Sequence, residues 1–298
     1  MTRIAPTIVG LCFAGPAIFG VAGCSGNAPQ PPTKPTTVPT KSSADASRDE
    51  SIAASELVEN GAKAAEPPAD PNWGTLKGQF IYNGKAPVPK PIDATKEPMC
   101  VPHKLVDESL VVGAGGGIKD AVIYVRTKEV KVHPALDNPP AEVVLDNKNC
   151  RFEPHMLPML VSQTLVVANS DPIGHNAKID DIVGGGANPM LAPNAKSTYK
   201  FKQESVLPIT VSCNIHGWMS ARVLPRDNPY FAVSDADGKF EIKDLPVGML
   251  EFQVWHEKAG NFKNAAREGW TKGLFNLDIQ PGDNDLGARK FDPQLFNK

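Results

Sequence analysis

Apolar residues in this chain alternate with polar ones or gather in short runs, and helical spacing is absent. Residues 76–82 alternate and close on Asn83-Gly84, which predicts a strand and a turn. Residues 120–127 enclose the run Ala121-Val122-Ile123-Tyr124-Val125, the pattern of a buried strand, after a glycine-rich connector at 113–117. A second block, 141–226, predicts strands at 142–146, 164–169, 198–201, 209–213 and 221–224. Gly184 to Gly186 and the segment 189–193 mark a long loop within it. A third block, 227–298, predicts strands at 231–234, 239–242, 250–256 and 274–279. Asp237-Gly238 is a hairpin turn signal, and Pro281-Gly282-Asp283 is a second turn. Strands at such short intervals predict an all-β sandwich architecture.

Composition agrees: 29 Pro and 25 Gly suit turns better than a helical bundle. A net charge of −2 gives no basic excess, so nucleic acid is not an expected partner. Residues 24–72 are rich in Pro, Ala, Ser and Thr and carry too few large apolar side chains to offset ordering entropy. They are expected to be a disordered tether, with 55–63 fitting a brief helix.

Residues 1–23 read as an export signal, with Arg3 in a short n-region and an apolar stretch over 8–21. The stretch is short for a transmembrane anchor, the competing reading. It ends in Val21-Ala22-Gly23-Cys24, which resembles the lipobox of bacterial lipoproteins. That resemblance implies cleavage before Cys24, lipidation of its sulfur, and an extracytoplasmic, membrane-anchored protein in the periplasm or at the cell surface.

The chemistry concentrates in Cys213-Asn214-Ile215-His216-Gly217-Trp218-Met219. Thiolate, imidazole and thioether follow one another at spacing C-x2-H-x2-M, and these soft donors suit copper. A blue-copper site needs a second imidazole, and Asn169-Ser170-Asp171-Pro172-Ile173-Gly174-His175-Asn176 offers one. The candidate copper ligands are therefore His175, Cys213, His216 and Met219. Taken singly, a Cys is often a small buried hydrophobe and a Met plain packing. Only the combination points to metal.

At these residues the chain resembles the cupredoxins, and the ligand-loop spacing is most like that of amicyanins. Phe152-Glu153-Pro154, Leu165-Val166-Val167-Ala168-Asn169 and His175-Asn176 look like the first half of a plastocyanin-type Greek-key domain over 141–226. Ser162-Gln163 stands where that family commonly has a Gly. The resemblance implies a one-electron carrier rather than an enzyme. Its partner would be a redox protein, a dehydrogenase or a cytochrome, with His216 nearest solvent as the electron port.

Phe240 to Gly248, and 74–87 with its Asn83-Gly84 turn, resemble carboxypeptidase-regulatory-like, transthyretin-like domains. They flank the copper block. This implies a transthyretin-like domain in two parts, 73–140 and 227–298, interrupted by the cupredoxin, although three units in series fit the same spacing. A surface binding or structural lipoprotein, or a copper-storage or delivery protein without redox turnover, is the alternative function.

If Cys213 holds metal, Cys24 lipid, and Cys12 leaves with the signal, Cys100 and Cys150 remain. In an oxidising compartment they form a disulfide or stay as separate buried thiols. His155 reads as a structural, hydrogen-bonded residue, with a second metal ligand or a surface group near the copper as the alternatives. His103 and His256 read as structural.

Overall fold

The computed structural model describes residues 70–262 and 269–297. The export signal, Cys24, most of the tether and the brief helix at 55–63 lie outside them. Among the described residues there is no α-helix, and short 3-10 turns such as Val101–His103 interrupt the strands. The fold is all-β, as the alternation predicts.

In chain order, β1 (Trp73–Tyr82) and β2 (Val122–Val125) come first, joined by a long connection. Ten strands follow: β3 (Glu142–Lys148), β4 (Arg151–Glu153), β5 (Met156–Leu160), β6 (Thr164–Asn169), β7 (His175–Asn176), β8 (Lys178–Ile179), β9 (Met190–Leu191), β10 (Lys196–Tyr199), β11 (Ile209–Ser212) and β12 (Ser220–Arg226). The chain ends with β13 (Phe231–Val233), β14 (Lys239–Pro246), β15 (Gly248–His256), β16 (Gly260–Asn261), β17 (Leu274–Ile279) and β18 (Gly282–Phe291).

Pairing separates these into two sandwiches. One has a three-stranded sheet ordered β14-β1-β18 facing a sheet ordered β13-β2-β15-β16, with β17 also on β15. Its strands come from both ends of the described chain. β1 runs antiparallel to β14 and parallel to β18. Its core is aromatic: Phe80 stacks on Phe240 with ring centroids 4.6 Å apart and meets Phe262 and Phe291. The Asp237-Gly238 turn forms here, with Gly238 at φ 78°. A Cβ there would stand 2.2 Å from the Phe80 carbonyl oxygen, so only glycine fits.

The other sandwich uses β3 to β12 alone. Its sheets are ordered β10-β6-β3-β4 and β5-β12-β11-β8, with β7 paired to β9 at one end. Leu145, Phe152, Leu165, Val167, Val211, Ala221 and Val223 fill the core between them. β5 carries Pro158, which an edge strand tolerates because one row of its backbone groups needs no partner.

β2 explains its uninterrupted apolar run. Ile123 and Val125 face the aromatic core, whereas Val122 and Tyr124 join Met156, Leu224 and Trp255 in a seam between the sandwiches. Polar contacts close the same seam. Tyr124 Oη donates to the Val206 carbonyl at 2.6 Å, and buried Arg226 bonds Glu204 at 2.9 Å and the Val125 carbonyl at 3.0 Å. Cys100 and Cys150 are joined by a disulfide, Cα atoms 5.6 Å apart, which ties the β1–β2 connection to the turn between β3 and β4.

Candidate metal centre

The ligand loop closes a hairpin. β11 and β12 are antiparallel and Ser212 faces Ser220, so the intervening residues 213–219 form one loop at the sheet end. Its shape is set by its own backbone: Cys213 N–H donates to the Met219 carbonyl at 3.1 Å, and Met219 N–H to the His216 carbonyl at 2.8 Å. The His216 amide then lies 3.4 Å from Cys213 Sγ and donates to it. Asn176 braces the loop from outside, its Oδ1 accepting from Asn214 N–H at 2.8 Å and Ile215 N–H at 3.3 Å. The Cys213 thiol reaches the same oxygen at 3.4 Å.

His175 opens β7, held against β9 by pairing of His175 with Leu191. Adjacent strand residues point to opposite faces. His175 therefore turns to the ligand cluster while Asn176 supports the loop. Its Nε2 donates to Asp171 Oδ2 at 2.9 Å. Asp171 is in turn fixed by the amides of Asn149 and Cys150, at 2.7 and 2.9 Å. With Nε2 committed, Nδ1 is the free donor atom, and it faces His216 Nδ1 at 2.9 Å.

One donor atom each from His175, Cys213 and His216 lies within 4.8 Å of the others. His216 Nδ1 is 3.8 Å from Cys213 Sγ. All three residues are buried, His216 being the most exposed at 4%. Burial and the neighbouring His216 lower the His175 pKa below the ordinary imidazole value, against the pull of Asp171. A neutral imidazole is the form that binds metal. Two imidazoles and one sulfur, collected in a site closed to water, fit copper by donor type. Met219 is buried and lines, with Trp218, a cavity of about 340 Å³ beside the site.

His216 is the most exposed of the three, as expected, yet the outer edge of its ring does not reach solvent. Its Nε2 is buried and stands 3.5 Å from Glu97 Oε2. Glu97 belongs to the β1–β2 connection, which folds over this edge of the ring and is held there by the nearby disulfide. Trp218 packs beside His216, ring centroids 5.2 Å apart, and its Nε1 donates to the Cys150 carbonyl at 3.1 Å.

The other histidines lie apart from the cluster. His155 pairs through Nε2 with Glu257, which also takes Arg222 at 2.8 Å, across the seam. Burial pushes the Glu257 carboxyl upward, but the hydrogen bond and charge of His155 and the charge of Arg222 prevail and hold it down to about 2. His256 is buried and pushed down to about 4 by that burial. His103 sits on the 3-10 turn beside Cys100.

Asp171 and Asn176 hold the ligand residues and Glu97 faces His216, and none of the three had a role in the sequence reading. Asp171 and Asn176 were within reach of it, being four residues before and one after His175. Glu97 carries no local signal.

No protein-family model and no curated protein matches the sequence. Solved structures similar to part of it are cupredoxins. A purple cupredoxin from Nitrosopumilus maritimus is 23% identical, covering 29% of this chain and 99% of its own, at TM-score 0.24. A copper-containing nitrite reductase from Thermus scotoductus is 22% identical, covering 32% of this chain and 27% of its own, at TM-score 0.28. A copper(I) amicyanin variant is 18% identical, covering 35% of this chain and 98% of its own, at TM-score 0.26. At such low scores the case for the site rests on the chain's own geometry. Among the described residues no helix is long and apolar enough to cross a membrane.

Proposed function

We propose that this chain is an extracytoplasmic copper protein that carries single electrons and makes no bond in a substrate. The observation that carries this reading is the buried convergence of His175, Cys213 and His216. Met219, one residue before β12, would complete the set as a weakly bound thioether. Bound copper would supply a one-electron couple. The chain's own residues do the rest. Asp171 orients His175, and Asn176 keeps the loop from opening. The His216 amide donates to the Cys213 sulfur, an interaction that tunes redox potential at thiolate sites. Burial keeps water off the donors, so little solvent must reorganise when charge changes. A redox protein, a dehydrogenase or cytochrome by class, would be the partner, and a lipid on Cys24 would hold the protein at a membrane.

Purified protein given Cu(II) is expected to develop intense visible absorption from the Cys213 sulfur, and Cys213→Ser to abolish it. Tight copper binding with no such band would reject the electron-carrier reading. A colourless metal that ferricyanide cannot cycle would point instead to storage or delivery.

A further inference from the structure

We propose that Glu97 is a positioning residue for the metal centre, the acceptor reserved for the Nε2–H of His216. This rests on the metal-binding reading above. The Nδ1 atoms of His175 and His216 face each other at 2.9 Å. A cation held by both rings would take up both Nδ1 lone pairs. Each neutral ring must then carry its proton on Nε2. For His175 that proton has a partner, Asp171 Oδ2 at 2.9 Å. For His216 it has none within hydrogen-bond geometry, although the atom is buried. A buried donor left without a partner is destabilising. The group facing it is Glu97 Oε2 at 3.5 Å, so a small inward movement of that carboxylate satisfies it.

Glu97 is placed for this by contacts that converge on Cys150. Glu97 N–H donates to the Ala94 carbonyl and Cys100 N–H to the Glu97 carbonyl, each at 2.9 Å, forming a tight turn. Cys100 fastens that turn to Cys150. The Cys150 amide holds Asp171, the partner of the other imidazole, and its carbonyl holds Trp218 beside His216. One residue thus anchors the acceptors of both ligand rings. Glu97 itself comes from outside the metal sandwich, from the connection between β1 and β2. Its carboxylate also covers the ring edge through which electrons were expected to leave.

The test uses the exported, disulfide-intact protein and Zn(II), whose binding reads ligand geometry without redox chemistry. Competition with a chromophoric chelator gives the affinity. Losing such a hydrogen-bond partner typically weakens metal binding about 10–100-fold. Glu97→Ala is expected to do so, and Glu97→Gln, which keeps an acceptor oxygen, to recover part of the loss. In the zinc-loaded wild type the His216 Hε2 proton should be visible by NMR and slow to exchange, and it should be lost to solvent in Glu97→Ala. An unchanged thermal midpoint of the metal-free variants shows that the fold is kept. Unchanged zinc affinity and rapid Hε2 exchange in the wild type would overturn the role of Glu97 alone. Zinc affinity that survives both Cys213→Ser and His175→Ala would overturn the metal centre, and this inference with it.

Discussion

The two sandwiches use one architecture for different ends. The sandwich built from the two ends of the described chain is packed to completion. Phe80, Phe240, Phe252, Phe262, Trp270, Phe275 and Phe291 fill its centre, and Trp270 stacks on Phe275 at 4.4 Å. The inserted sandwich has a smaller aliphatic core and gives one end to polar side chains. Asn147, Asn169, Asp171, His175, Asn176 and His216 are all buried there. Each donor or acceptor in such a cluster must find a partner, and a satisfied cluster holds side chains in one geometry. Asn169 shows the method: its Nδ2 donates to the carbonyls of Ile173 and Leu191 at 2.8 and 3.0 Å, fixing the turn that delivers His175. Apolar burial gives stability without direction, and hydrogen bonds give direction.

This contrast breaks most visibly in the aromatic core. Phe80→Ala should cost about 3–5 kcal/mol, near the upper end because three other rings lean on Phe80. Urea unfolding followed by tryptophan fluorescence measures it. A loss under about 1 kcal/mol would mean that the aromatic cluster is not what stabilises this sandwich.

Removing the tie between the regions comes next. The Cys100–Cys150 bridge spans a sequence separation of 50, for which loop-closure entropy gives about 4 kcal/mol. The paired Cys100→Ala and Cys150→Ala variant should lower the unfolding midpoint accordingly. Because it frees the turn bearing Glu97, it should also weaken zinc binding. Stability lost with zinc affinity intact would separate the bridge from the metal centre.

The smallest effect is one of pH. His256 is held at about 4 in the folded protein against an ordinary value of 6.5, so its contribution is present above 6.5 and lost as pH falls through 4. Relative to His256→Gln, the wild type should lose about 2 kcal/mol between pH 7 and pH 5. Glu257, also depressed, keeps its contribution over that interval and loses it from 4.5 down to about 2. His155 is shifted the other way: burial lowers it, but Glu257 raises it further. Its stabilisation is whole below 6.5 and fades as pH rises. Comparison with the variant cancels that opposing trend. A pH-independent difference would show that His256 titrates normally.

The sequence was most legible where structure is local. The ligand loop is a single hairpin connection, so its spacing directly displayed Cys213, His216 and Met219. Strands marked by alternation or by a short apolar run match expectation to within a few residues, as at β1, β6 and β15. Other strands hid for physical reasons. Of β18 only the turn signal at 281–283 stands out, because Leu286 and Phe291 are its only buried apolar residues and charged side chains line much of the rest. β12 runs through Pro225 to Arg226, two residues beyond the strand expected at 221–224. Pro225 pairs only with β5, beyond the last residue of β11, so its missing N–H leaves no gap in that ladder. The strand expected at 198–201 lies earlier, at Lys196–Tyr199, where it pairs with β6. β7 and β9 are too short to show a period. Glu97 was invisible because its role depends on a disulfide and on a fold-over that bring distant segments together.

The pairing of β1 with β14 and β18 bears on the order in which the molecule is assembled. A chain appearing from its amino end exposes β1 and β2 long before their partners, since β14 begins only at Lys239. β3 to β12 hold all their own sheet partners, so the inserted sandwich can close without the flanking strands. Distant pairings form slowly, because the intervening loop must first be drawn together. Here the inserted sandwich shortens that search. Once folded it is a compact plug, and β13 leaves it to pair antiparallel with β2 at the point where the chain went in. The inserted sandwich thus serves as a folded staple for the sheet that carries it.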